Sequence, residues 1–159
     1  MGTEIERKYL LKNDDWRMFA SVGTHMRQGY LSGNGLISIR VRVAGNEATL
    51  NIKGATLGVC RTEFEYPIPV QDGEELLDRY CPRPLIEKTR YFVEHAGRLW
   101  EIDVFEGDNE GLTVAEIELE SPEEHFSLPE WIGEEVSHDP RYYNVCLQQH
   151  PFKEWVKGG

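Results

Sequence analysis

The chain is poor in cysteine, has no long apolar run and is short of positive charge. Its three cysteines, Cys60, Cys81 and Cys146, form no C-x-x-C pair and lack a nearby histidine in zinc-like spacing. Neither a disulfide framework nor a Cys/His zinc centre is encoded, and a reducing cytoplasm is the expected compartment. No apolar stretch approaches the roughly 20 residues that a membrane-spanning helix needs. No basic-then-apolar leader opens the sequence. Lys and Arg number 17 against 28 Asp and Glu, a formal net charge of −11. That argues against a broad basic face, and so against non-specific binding to nucleic acid or an anionic membrane. An anion held in a local basic cluster remains compatible with it. A Walker A sequence is missing, and Gly33-Asn34-Gly35 lacks the third glycine and the following helix of a dinucleotide fingerprint. The five histidines are scattered.

What is present is alternation. At 159 residues and 40% hydrophobic content, the chain is expected to form one domain over residues 1–159. Glu4-Ile5-Glu6-Arg7-Lys8 places Glu4, Glu6 and Lys8 on one face of a strand and Ile5 with Tyr9 on the other. Turn residues divide the sequence into eight such strands, over residues 3–11, 25–31, 36–44, 47–53, 60–68, 86–95, 99–106 and 112–121. Ser32-Gly33-Asn34-Gly35, Gly45-Asn46 and Ala96-Gly97 are hairpin signals. Helical periodicity is expected after Asn13-Asp14-Asp15, over residues 72–81, and in two aromatic-bearing segments beyond Pro122. Eight short strands with hairpin links predict an antiparallel barrel, mainly β with a few covering helices.

The charges fall on one face throughout. Arg40 and Arg42 oppose Val41 and Val43; Asn51 and Lys53 oppose Leu50 and Ile52; Glu63 and Glu65 oppose Phe64 and Tyr66. Lys88 and Arg90 oppose Thr89 and Tyr91; Glu101 and Asp103 oppose Trp100 and Ile102; Glu116, Glu118 and Glu120 oppose Ile117 and Leu119. A solvated sheet face tolerates Ser, Thr, Gln and Asn freely. These positions are nearly all ionised, and the strands segregate by sign. The pattern predicts a closed barrel with a charged lumen, its apolar exterior covered by helices on which Trp100, Trp131 and Trp155 pack.

Carboxylates at alternate strand positions are hard oxygen ligands suited to Mg²⁺ or Mn²⁺. Glu4, Glu6, Glu116, Glu118 and Glu120 are the candidate metal ligands. Lys8, Arg40, Arg42, Lys53, Lys88 and Arg90 are candidate phosphate ligands, since Arg offers a bidentate fork and Lys a point charge. So many enclosed charges without a ligand would be costly to desolvate. A linear polyphosphate with a divalent metal satisfies both signs.

These residues resemble the CYTH superfamily, the triphosphate tunnel metalloenzymes. Glu4-Ile-Glu6-Arg-Lys8 matches its ExExK signature. The likeness runs on through Arg40-Val-Arg42, Lys53, Thr62-Glu63-Phe64-Glu65, Lys88-Thr-Arg90-Tyr91, Glu101-Ile-Asp103, Glu116-Ile-Glu118-Leu-Glu120 and Asp139-Pro-Arg141-Tyr142-Tyr143-Asn144. ExExK alone is a weak signal; the ordered series is strong. The resemblance implies an eight-stranded tunnel that binds a triphosphate with Mg²⁺ or Mn²⁺, basic residues clamping phosphates, and Glu63, Glu65, Glu101 and Asp103 orienting water or helping with a second metal. It implies a metal-dependent triphosphatase. Little chain beyond the barrel is available for base recognition, which favours inorganic tripolyphosphate over thiamine or nucleoside triphosphates, or ATP cyclised by a class IV adenylate cyclase. A non-catalytic polyphosphate- or nucleotide-binding module is the alternative of another kind. A homodimer is consistent with the resemblance.

Overall fold

The computed structural model describes residues 2–33, 36–55 and 59–155. Nine strands form one antiparallel sheet: β1 (Gly2–Leu11), β2 (Thr24–Gly33), β3 (Ile37–Ala44), β4 (Glu47–Gly54), β5 (Cys60–Ile68), β6 (Ile86–His95), β7 (Arg98–Phe105), β8 (Thr113–Glu118) and β9 (Ile132–Glu135). Their order is β5-β4-β3-β2-β6-β7-β8-β1-β9, and β5 also pairs with β1. That extra pairing closes the first eight strands into a barrel. Along β1, Glu6–Leu10 pair with β8 on one edge. The opposite edge serves β5 at Gly2–Ile5 and then β9 at Tyr9 and Leu11.

Six of the strands begin and end within a residue of the expected bounds, because side-chain alternation and turn residues mark the same boundaries. In the β6–β7 hairpin Ala96 and Gly97 both have positive φ, 51° and 75°, as a two-residue type I′ turn requires. Asn34 and Gly35, expected as part of the β2–β3 turn, lie outside the described residues.

Three departures from expectation concern the edges. The region after Asn13-Asp14-Asp15 is a single 3₁₀ segment (Asp15–Phe19) and not an α-helix; Asn13 Oδ1 accepts from the Asp15 amide, a local turn that competes with a cap. β8 stops at Glu118, opposite Glu6, the last residue of β1 that it pairs with directly. Beyond Pro122 the chain forms β9 where a helix is expected, then one six-residue helix, α2 (Asn144–Gln149), flanked by three-residue 3₁₀ turns.

Three apolar clusters assign a role to each cover. On the outer wall of β1, β7 and β8, Trp100 and Ile102 are fully buried with Trp16, Trp131 and Ile132. Truncating Trp100 to Ala would cost about 3–5 kcal/mol. Outside β3 and β4, helix α1 (Val70–Tyr80) covers Val41, Val43 and Ala48 with Leu77. Its Gly73 allows that approach: a Cβ there would stand 2.8 Å from the Ala48 Cβ. The third cluster plugs the barrel. Leu10, Ile86, Phe105 and Val114 share strand parity with Lys8, Lys88, Asp103 and Glu116, so the lumen changes from charged to apolar at one end. There Tyr142 and Leu147 pack into it. The expectation of a closed, charged eight-stranded barrel holds, with a ninth strand added.

A sign-divided tunnel as candidate active site

The lumen encloses about 190 Å³ and is lined by seven acidic and seven basic side chains. Barrel order explains how they are distributed. Four contiguous strands, β4, β3, β2 and β6, carry Lys53, Arg40, Arg42, Lys88 and Arg90. The other four, β7, β8, β1 and β5, carry Glu101, Asp103, Glu116, Glu118, Glu4, Glu6, Glu63 and Glu65. Only Lys8 on β1 and Arg61 on β5 cross the division. The wall is a basic arc facing an acidic arc.

Where the arcs meet, charges pair. At the β4–β5 seam, Lys53 Nζ lies 3.2 Å from Glu63 and 3.1 Å from Glu4. Arg61 Nε reaches Glu4 at 3.1 Å. Burial alone would raise the Glu4 carboxyl, but Lys53 and Arg61 overrule it and hold it well below the ordinary range. Burial, followed by the Arg40 charge, lowers Lys53 to about 8. At the β6–β7 seam, Arg90 grips Asp103 with two hydrogen bonds of 2.7 and 2.9 Å, and Lys88 Nζ adds a third contact at 2.8 Å. Burial works to raise Asp103; Lys88 and Arg90 bring it down to about 2. Lys88 is lowered to about 7 by burial, with Asp103 opposing.

At the centre of each arc, like charges remain together. Arg40 is 4% exposed, and its Nε has no hydrogen-bond partner among the described residues. Neighbouring Arg42 is depressed by burial and then by Arg40 and Arg90, although a guanidinium stays charged near neutrality. In the acidic arc, enclosure, then Glu116 and Glu4, raises the Glu6 carboxyl well above its ordinary range. Glu116 is held low against burial by Lys8, Arg90 and Lys88, and by a hydrogen bond with Glu6. Burial, Glu4 and Glu63 raise Glu118.

The acidic arc offers carboxylate oxygen without imidazole or thiolate, a donor set suited to a hard divalent cation. Glu116 is the first neighbouring charge that raises Glu6, a crowding of carboxylates that a bound cation would relieve. Among the described residues no three acidic groups converge on one point, since Glu4 is turned to Lys53 and Arg61, and Glu116 approaches Lys8 at 3.5 Å. By chemistry the arc fits Mg²⁺ or Mn²⁺.

Two site assignments made from sequence are corrected. Glu120 lies two residues beyond the end of β8, is exposed, and accepts no place in the lumen; its amide bonds to Glu124 Oε1 instead. Asp103, expected to orient water, is 1% exposed and stands behind Lys88 and Arg90, absent from the cavity lining. The structure brings Glu4, Glu6, Lys8, Arg40, Arg42, Lys53, Glu63, Lys88, Arg90, Glu116 and Glu118 to one cavity. It adds Arg61, whose parity with Glu63 and Glu65 was the available signal. It also adds Tyr143 and Asn144, which stood in the sequence only as the end of the Asp139–Asn144 motif, and behind the lining Gln28, which carries no charge and gave no signal.

Residues 2–143 match the CYTH domain family. An inorganic triphosphatase of Acetivibrio thermocellus is 44% identical over 155 residues, spanning 98% of this chain and 99% of that protein. An inorganic triphosphatase of Nitrosomonas europaea is 38% identical over 150 residues, 91% of this chain and 96% of that protein. Among solved structures, that of an inorganic triphosphatase superposes with a TM-score of 0.65 at 32% identity, covering 97% of this chain and 99% of the other. The closed barrel, the sign-divided lumen and these likenesses agree: the chain belongs to the CYTH family.

Proposed function

We propose that the chain hydrolyses inorganic tripolyphosphate to pyrophosphate and phosphate, with a divalent metal, Mg²⁺ or Mn²⁺, in the same tunnel. The observation that carries this is the like-charge centre of each arc. Arg40 and Arg42 together call for an anion, Glu6 with Glu116 and Glu118 for a cation, and a metal–triphosphate supplies both. The two relatives named as inorganic triphosphatases support the substrate. So does the volume: about 190 Å³ falls below the roughly 300–1,000 Å³ of sites for drug-sized ligands.

Glu6 and Glu116, with Glu4 and Glu118 in the same arc, would hold the metal. When bound it neutralises phosphate charge and acts as a Lewis acid. Arg40, Arg42, Lys53, Lys88 and Arg90 hold phosphate oxygens and stabilise the charge that develops as water attacks the terminal phosphorus and the bridging P–O bond breaks. Lys8 supplies a cation from the acidic side. Glu63 and Glu101 line the cavity as acceptors for the proton of that water; burial raises Glu101 against the pull of Arg90, which strengthens it as a base. Asp103 acts indirectly, by locking Lys88 and Arg90 in place. Among the described residues no helix is long and apolar enough to cross a membrane. The three free cysteines support a cytoplasmic location, and the proposed unit is one domain over residues 1–159. Sedimentation of the purified chain tests the homodimer.

The test is incubation with tripolyphosphate, ATP and thiamine triphosphate, each with Mg²⁺, Mn²⁺ or chelator, beside a Glu4→Ala/Glu6→Ala control. Metal-dependent phosphate release, fastest with tripolyphosphate and lost in the control, is expected. Cyclic AMP with pyrophosphate would make the chain a cyclase. Tight binding without turnover would leave a binding module.

A further inference from the structure

The Asp139–Asn144 stretch has no role in the account so far, and the family match ends at residue 143, one short of Asn144. Yet this stretch enters the lumen. Asn144 Oδ1 accepts from Lys88 Nζ at 3.2 Å and from Gln28 Nε2 at 3.0 Å. Gln28, with no exposed surface, accepts in turn from Arg42 Nε at 3.0 Å. Next to it, Lys8 Nζ donates to the Tyr142 carbonyl at 3.2 Å and sits 5.5 Å from the Tyr143 ring centre.

The direction of this chain is set by chemistry. Arg and Lys have donors and no acceptor. Gln28 must therefore present its oxygen to Arg42, leaving its NH₂ for Asn144, and Asn144 must present its oxygen to Lys88. Every acceptor in the run is neutral. At the seams, carboxylates hold the cations and cancel their charge, and Lys88 and Lys8 each face one, Asp103 at 2.8 Å and Glu116 at 3.5 Å; the amide, carbonyl and ring contacts orient Arg42, Lys88 and Lys8 without adding a negative charge. On the inner face of β2, one of the two middle strands of the basic arc, the partner of Arg42 is a glutamine, where a carboxylate would weaken anion binding.

We propose that Gln28 and Asn144 are positioning residues that order Arg42 and Lys88 for phosphate without adding a negative charge to the basic arc, which makes the C-terminal segment part of the site. The inference rests on the triphosphatase reading. Its function is geometric: a guanidinium or ammonium displaced by about 1 Å costs on the order of 100-fold in rate.

The experiment uses the full chain with tripolyphosphate and Mn²⁺, reading kcat and KM, with calorimetric tripolyphosphate binding and thermal melting alongside. Asn144→Ala is expected to lower kcat/KM about 30- to 100-fold. Asn144→Asp, nearly isosteric, is expected to melt like wild type yet raise KM at least about tenfold, because it adds charge to an intact hydrogen bond. The Gln28→Ala/Asn144→Ala pair is expected to be no worse than the poorer single variant, and Asn144→Ala in a Lys88→Ala background to cost less than about threefold, since both act through the same cations. Wild-type activity in Asn144→Asp, or additive losses in the double variants, overturns the proposal. If the wild type binds tripolyphosphate without turning it over, the triphosphatase reading fails and the same variants are compared by binding affinity. Should Asn144→Ala fail to fold, the Asn144→Asp and Gln28→Ala arms carry the decision.

Discussion

The basic and acidic arcs of the barrel wall have the same exterior, alternating apolar residues under helices and straps, and opposite interiors. They also resolve crowding of like charge differently. The acidic arc answers it at one carboxyl: enclosure, Glu116 and Glu4 raise Glu6 well above the ordinary carboxylate range. The basic arc cannot shed a proton so easily, because guanidinium pKa values lie too high. It relies on neutral partners such as Gln28, and Arg40 Nε has no partner among the described residues. Anion binding by guanidinium therefore requires no change of protonation, whereas a cation bound at Glu6 competes with its proton. The seams between the arcs are conventional ion pairs and carry the structural load.

The comparison breaks most sharply at a seam. Asp103→Ala leaves Lys88 and Arg90 buried without their shared carboxylate and is expected to destabilise the fold by about 3–5 kcal/mol, read by urea denaturation. Acid titration supplies the sign. Asp103 is lowered from its usual 3.8 to about 2, so its contribution to stability is complete above the unfolded value and is lost as pH falls through the folded one. Glu6 runs the other way: with its folded value raised, stability falls as pH climbs above 4.5 toward that value.

A smaller effect sharpens the acidic arc. Divalent-metal affinity is expected to rise with pH across the range above 4.5 in which Glu6 gives up its proton, by at most about tenfold per pH unit for one proton released. Calorimetry in buffers of different ionisation enthalpy checks it; Glu6→Gln should flatten the slope. Smallest is Glu120→Gln. Being exposed and outside the lumen, it should change stability by less than about 0.5 kcal/mol and leave turnover as in the wild type.

Much of this was legible in the residues and some was not, for physical reasons. Period-two charge patterning located β3, β4, β5 and β6 and the lumen side of each, because one face of every strand had to be apolar. Arg61 was equally legible by parity and was passed over beside Cys60. Glu120 was misplaced because parity continues on paper after the hydrogen-bonded partner has ended; only the Glu6–Glu118 pairing shows where β8 stops. β9 is four residues, Ile132-Gly-Glu-Glu135, too short to alternate, and is defined by the free edge of β1. Gln28 carries no charge and Asn144 was visible only as the end of the Asp139–Asn144 motif, so their place beside Arg42 and Lys88 follows only from tertiary contacts. Barrel closure itself depends on Gly2–Ile5 of β1 pairing with β5, a contact between residues far apart in sequence.

The account turns on the claim that the arc centres are kept unfavourable for the sake of a ligand. Arg40→Met and Glu6→Gln test it when turnover and melting temperature are measured on the same samples. The prediction is a fall in kcat/KM of about 100-fold or more in both, together with melting at or above the wild-type temperature, since Arg40→Met removes a buried guanidinium and Glu6→Gln a carboxyl crowded by Glu116 and Glu4. Melting more than about 4 °C below wild type would show that these charges are already compensated within the fold, and would contradict the account.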